Sequence, residues 1–479
     1  MTTSRADLPI VIDRAAGVPL ATQVAGQLRD SVTSGLLTAG DRLPSSRDLA
    51  AVLGVSRTVV TGAYTQLFAE GWLDGRHGSG TFVADVASPA LSSSSPSSSP
   101  SRTPSPPAPP QPPSPAGATR ARAPIELPAG IPWVAGIEPA AWRRAWRSAG
   151  TRAIGEWPEP LGIRDLREEL TRFLRRSRGL AVTPEQILIT RGVTSGLGLL
   201  TTALVRPGDR VGVEEPGYPQ AREVLARAGA VVVPCRVDAA GVVPSELPDG
   251  LRLLYTTPAH QYPLGGRLPV GRRQALAEWA RSCGAMIVED DYDSEFRYDV
   301  GPLPALFGMG GAGLDQDVIA YLGTASKMLT PSVGVGWLVG SVSLVARLAA
   351  GRDRLGERVS EPAQHAMAAL LAGGDLERHV RRMRLEYARR RAALVGGLGQ
   401  GGFRLRGDTA GMHVVLEMPP GTSASDVASA ALRRGVSVAT LDRYFAGPVT
   451  VEGLILGYGA TPLPQVRKAA AVLREVLVR

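Results

Sequence analysis

Apolar residues return every fourth position near the start of the chain. Leu20, Val24, Leu28 and Val32 make one helical stripe that Gly35 closes. Leu49 and Leu53 form the inner face of a short helix that starts behind Pro44-Ser45-Ser46, a turn and N-cap, and stops at Gly54. Ser56 then caps a third helix, Arg57 to about Glu70, with Val59 or Val60, Ala63 and Leu67 facing inward. Arg57, Thr58 and Thr61 are left on its outer, N-terminal face. Two short helices with a tight turn between them predict a helix-turn-helix, whose second helix offers its first residues to base edges. Trp72-Leu73 and Thr81-Phe82-Val83 flank Gly75-Arg76-His77-Gly78-Ser79-Gly80, a hairpin whose glycine-rich tip can approach a phosphate backbone. A small helical bundle without nucleic acid would instead leave Arg47, Arg57 and Arg76 as solvated surface.

From Ser88 to Pro124 the pattern stops. Ser, Pro and Ala dominate, with Arg102, Arg120 and Arg122 and no acid. Such a stretch cannot bury enough apolar surface to fold, so it reads as a disordered spacer. The predicted units are therefore a DNA reader over 1–87, a linker over 88–124 and a large domain over 125–479.

In the large domain, apolar runs of strand length alternate with helical segments: Ile187–Thr190, Val211–Glu214, Val231–Val233, Leu253–Thr256, Met286–Glu289, Val318–Leu322 and Trp337–Val339. That alternation predicts an α/β fold, a mostly parallel sheet covered on both faces, with ligands at the strand C-terminal ends. From Glu361 the pattern changes to helices and a smaller set of strands. Among them are a long arginine-rich helix, Glu377 to about Leu398, and a strand over Ala410–Leu416. A solvated helix of a small subdomain explains those arginines more simply than a face laid against DNA.

The residues behind the strand ends form one chemical set. Arg191-Gly192-Val193-Thr194 opens a helix, so the amides of Val193 and Thr194 point at an anion. Tyr218 offers an aromatic face, Asp290 a carboxylate, Tyr292 a phenol, and Thr324, Ser326 and Lys327 two hydroxyls and an amine. Lys327 is one of two lysines, with Lys468, in a chain with 53 Lys and Arg together. Arginine stays protonated, whereas a desolvated lysine can lose its proton and attack an aldehyde. These groups match the needs of pyridoxal 5'-phosphate. Lys327 would form the internal aldimine, Asp290 would face the ring nitrogen and Tyr292 the phenolic oxygen. Tyr218 would stack on the ring, with Val193, Thr194, Thr324 and Ser326 at the phosphate.

Composition adds little. A formal charge of +9 and a pI near 10.0 fit a polyanionic partner, although the first 86 residues carry about as many acids as bases. Cys235 and Cys283, far apart, predict neither a disulfide framework nor a metal site, and suit a reduced cytoplasm. No apolar run approaches the ~18 residues that a membrane helix needs.

Leu43-Pro-Ser-Ser-Arg47, Leu53-Gly-Val-Ser-Arg57 and Gly78-Ser-Gly-Thr-Phe-Val83 closely resemble the winged helix-turn-helix of the GntR family. That resemblance implies that Arg47, Ser56, Arg57, Thr58 and His77, with Thr61 and Gly78 beside them, face double-stranded operator DNA. Thr257-Pro-Ala-His-Gln-Tyr-Pro-Leu-Gly265 and Glu289-Asp-Asp-Tyr-Asp-Ser-Glu-Phe-Arg-Tyr298 resemble a fold-type I aminotransferase of the MocR/GabR regulator subfamily. The subfamily implies a domain-swapped, head-to-tail homodimer. Its GabR-like members sense an amino acid through the cofactor, and its PdxR-like members respond to pyridoxal phosphate itself, controlling vitamin B6 synthesis.

Three positions depart from working aminotransferases. Gly334 stands where an arginine usually holds the phosphate, Ile455 where another clamps the substrate carboxylate, and Trp157 where a tyrosine reaches the partner's phosphate. An active aminotransferase with a DNA-binding appendage would want the arginine that Ile455 replaces, since a guanidinium orients a carboxylate. A mere dimerisation scaffold would not need Lys327, Asp290 and Tyr292 together. The expectation is therefore a cytoplasmic regulator that senses a ligand, pyridoxal phosphate rather than an amino acid, and no catalytic role is assigned.

Overall fold

The computed structural model describes residue 8 and residues 10–76, 80–85, 123–153, 155–301, 303–309, 317–399, 403–407 and 409–478. The predicted wing-tip contacts His77 and Gly78, and all but the last two residues of the predicted linker, lie outside these.

The reader forms where its periodicity places it. Helices α1 (Leu20–Thr33), α2 (Ser46–Leu53) and α3 (Arg57–Glu70) bury Val24, Leu28, Leu49, Val60, Ala63 and Leu67 in one core. Ser45 caps α2 by accepting the Asp48 amide at 3.2 Å, and Gly54 ends it in the left-handed region. Ser56 precedes α3 in extended conformation, but its side chain makes no capping bond, unlike the sequence expectation. Strands β1 (Leu73–Arg76) and β2 (Gly80–Val83) pair antiparallel as the wing.

After β3 (Ile125–Glu126), α4 (Pro139–Gly150) and α5 (Arg164–Arg178) comes an eight-stranded sheet. Its strands are β4 (Ile187–Thr190), β5 (Arg210–Glu215), β6 (Val231–Asp238), β7 (Gly241–Val242), β8 (Leu251–Thr256), β9 (Met286–Asp291), β10 (Ile319–Thr324) and β11 (Gly336–Val339), in the order β4-β11-β10-β9-β8-β5-β6-β7. The pairs β6–β5, β5–β8, β8–β9 and β9–β10 are parallel, whereas β7 runs against β6 and β11 against both of its neighbours. Alternate residues of one strand enter different cores. Ile187, Ile287, Ile319 and Tyr321 belong to one cluster, and Leu188, Val288, Ala320 and Leu322 to the other. Both faces are thus apolar, as a sheet sandwiched between helices requires. Those helices include α6 (Val193–Leu204), α7 (Pro219–Arg227), α8 (Val270–Cys283) and α9 (Val342–Arg354).

Helices α10 (Glu361–Ala372) and α11 (Asp375–Gly399) lead to a small subdomain of β12 (Leu405–Arg406), β13 (His413–Glu417), α12 (Ala424–Arg433), β14 (Val436–Ser437), β15 (Ala439–Thr440), β16 (Gly453–Gly457) and α13 (Leu463–Leu477). The arginines of α11 are partly structural. Arg390 is fully buried, with its guanidinium 4.1 Å from the Trp133 ring centroid, and Arg384 donates to the Glu295 carbonyl at 2.9 Å. Arg381, Arg382 and Arg389 are exposed.

The reader rests on the large domain of its own chain. Val270, first residue of α8, is buried in the reader's core, and the Gly301 amide donates to Gln66 of α3 at 2.9 Å. Among the described residues no helix is long and apolar enough to cross a membrane.

Candidate functional site

The C-terminal ends of β4, β5, β8, β9 and β10 lie along one edge of the sheet, and the polar residues there converge on a cavity of about 650 Å³. Every residue predicted to hold the cofactor lines it: Val193, Thr194, Tyr218, Asp290, Tyr292, Thr324, Ser326 and Lys327. Gly130, Gly192, Ser195, Thr257, Tyr262 and Pro331 line it too, and sequence reasoning gave them no role there. Arg191, which with Arg267 could stand in for the phosphate arginine missing at Gly334, also lines it, whereas Arg267 does not.

Lys327 sits in the turn after β10, with its Nζ donating to the Gly130 carbonyl at 2.7 Å. Burial pulls its pKa below the usual lysine value, against the pull of Asp293 and Asp290. Gly130 has φ +68°, and a Cβ there would stand 3.1 Å from Nζ, so a larger residue would press on the amine. Asp290, inside β9, is 4% exposed, and burial pushes its pKa up to about 7. Tyr255 donates to one of its oxygens, while Oδ1 is buried with no hydrogen-bond partner among the described residues. The adjacent Glu289 differs, because the amides of Leu306 and Phe307 satisfy both of its oxygens at 2.8 and 2.9 Å. An unsatisfied buried acceptor is costly and calls for an explanation, and a ligand donor supplies one.

Tyr292 is held from behind. Its hydroxyl lies 2.9 Å from His260 Nδ1, which is itself 3.1 Å from Asp293. Tyr262 packs edge-on against both Tyr218 and Tyr292, at centroid distances of 5.8 and 5.6 Å. At the other end, α6 starts at Gly192 without any side-chain cap, leaving its first amides open toward the cavity. Thr324 and Ser326 bond each other there at 2.9 Å. A carboxylate, an amine and an anion-binding helix end, spaced around an aromatic-walled cavity, fit a flat, phosphorylated pyridine aldehyde.

The three departures fall outside this lining. Gly334 has φ +59° with open space where a Cβ would stand. Ile455 is fully buried in the core, paired with Val415 and Ala439. Trp157 is 85% exposed. On the reader, Arg47, Ser56, Arg57, Thr58 and Thr61 are all exposed, and Arg57 Nε donates to Ser46 Oγ at 3.2 Å.

A winged helix-turn-helix joined to an α/β domain with a lysine in its strand-end cavity defines a one-chain transcription regulator built on an aminotransferase fold. Residues 20–83 match the family of bacterial regulatory proteins, gntR family, and residues 133–447 match aminotransferase class I and II. The chain is 38% identical to the HTH-type pyridoxine biosynthesis transcriptional regulator PdxR of Corynebacterium glutamicum, over 95% of each chain. It is 31% identical to the probable rhizopine catabolism regulatory protein MocR of Rhizobium meliloti, over 98% of this chain and 96% of that one. Its fold also resembles a Thermus thermophilus aspartate aminotransferase mutant (TM-score 0.66, 25% identity, covering 74% of this chain and 92% of that one). The kynurenine aminotransferase of Pyrococcus horikoshii is similar in fold (TM-score 0.67, 23% identity, 74% and 91% covered). The chain belongs to the MocR/GabR type of GntR-family transcription regulators, in which a DNA-binding winged helix precedes an aminotransferase-like domain.

Proposed function

We propose that this regulator binds pyridoxal 5'-phosphate in the strand-end cavity and responds to it, controlling genes of vitamin B6 synthesis. The observation that carries the reading is the pairing, in one cavity, of a partly desolvated amine on Lys327 with an unpartnered carboxylate oxygen on Asp290. The ligand would supply an aldehyde carbon able to condense with that amine, releasing water. The chain's own residues then divide the work. Gly130 orients Nζ, and Asp290 accepts a proton-bearing ring nitrogen. Tyr292, backed by His260, meets the phenolic oxygen, and Tyr218 covers the ring. The amides of Val193 and Thr194 and the hydroxyls of Thr324 and Ser326 face the phosphate. The relative from Corynebacterium glutamicum, named for pyridoxine biosynthesis, favours the vitamin as signal, and so does the absence of a guanidinium at Ile455. The aminotransferase-like domain acts here as a sensor. The titration that tests this measures binding to promoter DNA with and without pyridoxal phosphate, and an affinity indifferent to the ligand would refute it.

The reader faces double-stranded operator DNA through Arg47, Ser56, Arg57, Thr58 and Thr61, with His77 and Gly78 of the wing beside them. A homodimer presents two readers to two half-sites. Arg57→Ala is expected to weaken operator binding by ~1–3 kcal/mol and to relax sequence preference, since that side chain starts the recognition helix. Arg47→Ala is expected to weaken all sequences alike and flatten the salt dependence. Mobility-shift titrations at several salt concentrations separate these outcomes, and unchanged affinity in both variants would remove the assignment.

A further inference from the structure

Two donors at the phosphate end of the cavity are already taken. Ser195 Oγ donates to Glu357 Oε1 at 2.7 Å, and Arg191 Nε donates to the same oxygen at 3.2 Å. Both donors line the cavity beside the uncapped start of α6. The Arg191 guanidinium is the cation paired with this carboxylate, and Gly334, where an arginine usually holds the phosphate, supplies no second one. Glu357 belongs to the short segment 355–360 between α9 and α10, next to Gly356 at φ +64°. The base of that segment is anchored, because Arg352 of α9 donates to the Ile189 and Pro160 carbonyls. The Glu357 side chain thus extends from a turn beside a fixed point, on the donors that a phosphate would use.

We infer that Glu357 is an intramolecular competitor for the phosphate group of the ligand and sets how weakly the cavity holds it. The inference rests on the reading that the cavity takes a phosphorylated pyridine aldehyde. A carboxylate and a phosphate dianion sharing one hydroxyl and one guanidinium repel each other, so binding costs either that repulsion or the displacement of Glu357. Displacement need move only the Glu357 side chain, because the turn itself is held by the Glu357 amide on the Arg352 carbonyl and by Arg358 on Asp353. An affinity near the cellular ligand concentration lets occupancy change with supply, which a sensor needs.

The test uses the full-length protein and Glu357→Gln. The amide keeps an oxygen for Ser195 and Arg191 but removes the charge, so any effect is electrostatic rather than a loss of packing. Absorbance and fluorescence titrations should show pyridoxal phosphate binding about tenfold tighter, with pyridoxal, which lacks the phosphate, unchanged. Calorimetric titration with inorganic phosphate should tighten in parallel. Unchanged affinity for pyridoxal phosphate and inorganic phosphate, or an equal gain for pyridoxal, would overturn the inference. If inorganic phosphate tightens while pyridoxal phosphate leaves no lysine-linked absorbance in either protein, the competition stands and the pyridine reading falls.

Discussion

Lys327→Ala is expected to abolish the lysine-linked absorbance of bound pyridoxal phosphate completely, together with the response of operator binding to the ligand. The other lysine of the chain, Lys468, is carried on α13 of the small subdomain and is not among the residues lining the cavity. Burial lowers the pKa of Lys327, which raises the fraction of neutral amine available to attack a carbonyl near neutral pH. Lys327→Arg separates charge from nucleophilicity, because a guanidinium keeps the cation but cannot form the bond. It should behave like the alanine variant in the spectrum. Neither substitution should lower the thermal midpoint, since the amine is desolvated at a cost and, among the described residues, its one direct hydrogen bond is to the Gly130 carbonyl. A lysine-linked band surviving in both variants would remove the site assignment.

Most strands of the large sheet were legible because they are short apolar runs bounded by turn residues and buried on both faces, whereas β6 is half exposed and the two-residue β7 at the sheet edge was not read. β10 is buried at every position. Strands of two residues, such as β3, β12 and β14, carry no periodicity and could not be read. The cavity residues were legible for a related reason: each follows its own strand, and a strand end fixes position in space. Gly130 was not. It reaches Lys327 because β3 pairs in parallel with β14, Ile125 opposite Val436, and a contact so distant in sequence leaves no local trace. Glu357 arrives in the same way, from beyond β11. His260 and Tyr262 lay inside the quoted Thr257–Gly265 stretch, yet nothing local told that His260 backs Tyr292 or that Tyr262 walls the cavity. Of the three consecutive charges Glu289–Asp291, the sequence singled out Asp290 for the cavity but did not show where its two neighbours turn. Glu289 turns to two backbone amides and Asp291 to Arg178, leaving Asp290 facing the cavity.

That difference yields a prediction with opposite signs for stability and function. The folded chain holds a proton on Asp290 up to about pH 7, whereas the unfolded chain releases it near 3.8. Between those values the native state binds more protons than the unfolded state, so the contribution of this group to stability falls as pH rises. Above pH 7 the buried carboxylate is ionised in the ligand-free protein, with Oδ1 unpartnered. Asp290→Asn removes that charge while leaving an oxygen for the Tyr255 hydroxyl. The ligand-free variant is expected to be more stable than the natural chain by ~2–4 kcal/mol at pH 8, and the gain should shrink toward zero near pH 4. Ligand binding should move the other way. Loss of the charge-assisted bond to a protonated ring nitrogen is expected to weaken pyridoxal phosphate about ten- to a hundredfold. Denaturant titrations at pH 4, 6 and 8, with and without pyridoxal phosphate, read both effects in one series. A variant no more stable at pH 8 than the natural chain would mean that water or a reoriented side chain satisfies Oδ1. A variant that binds the ligand as tightly as before would mean that Asp290 does not face the ring nitrogen.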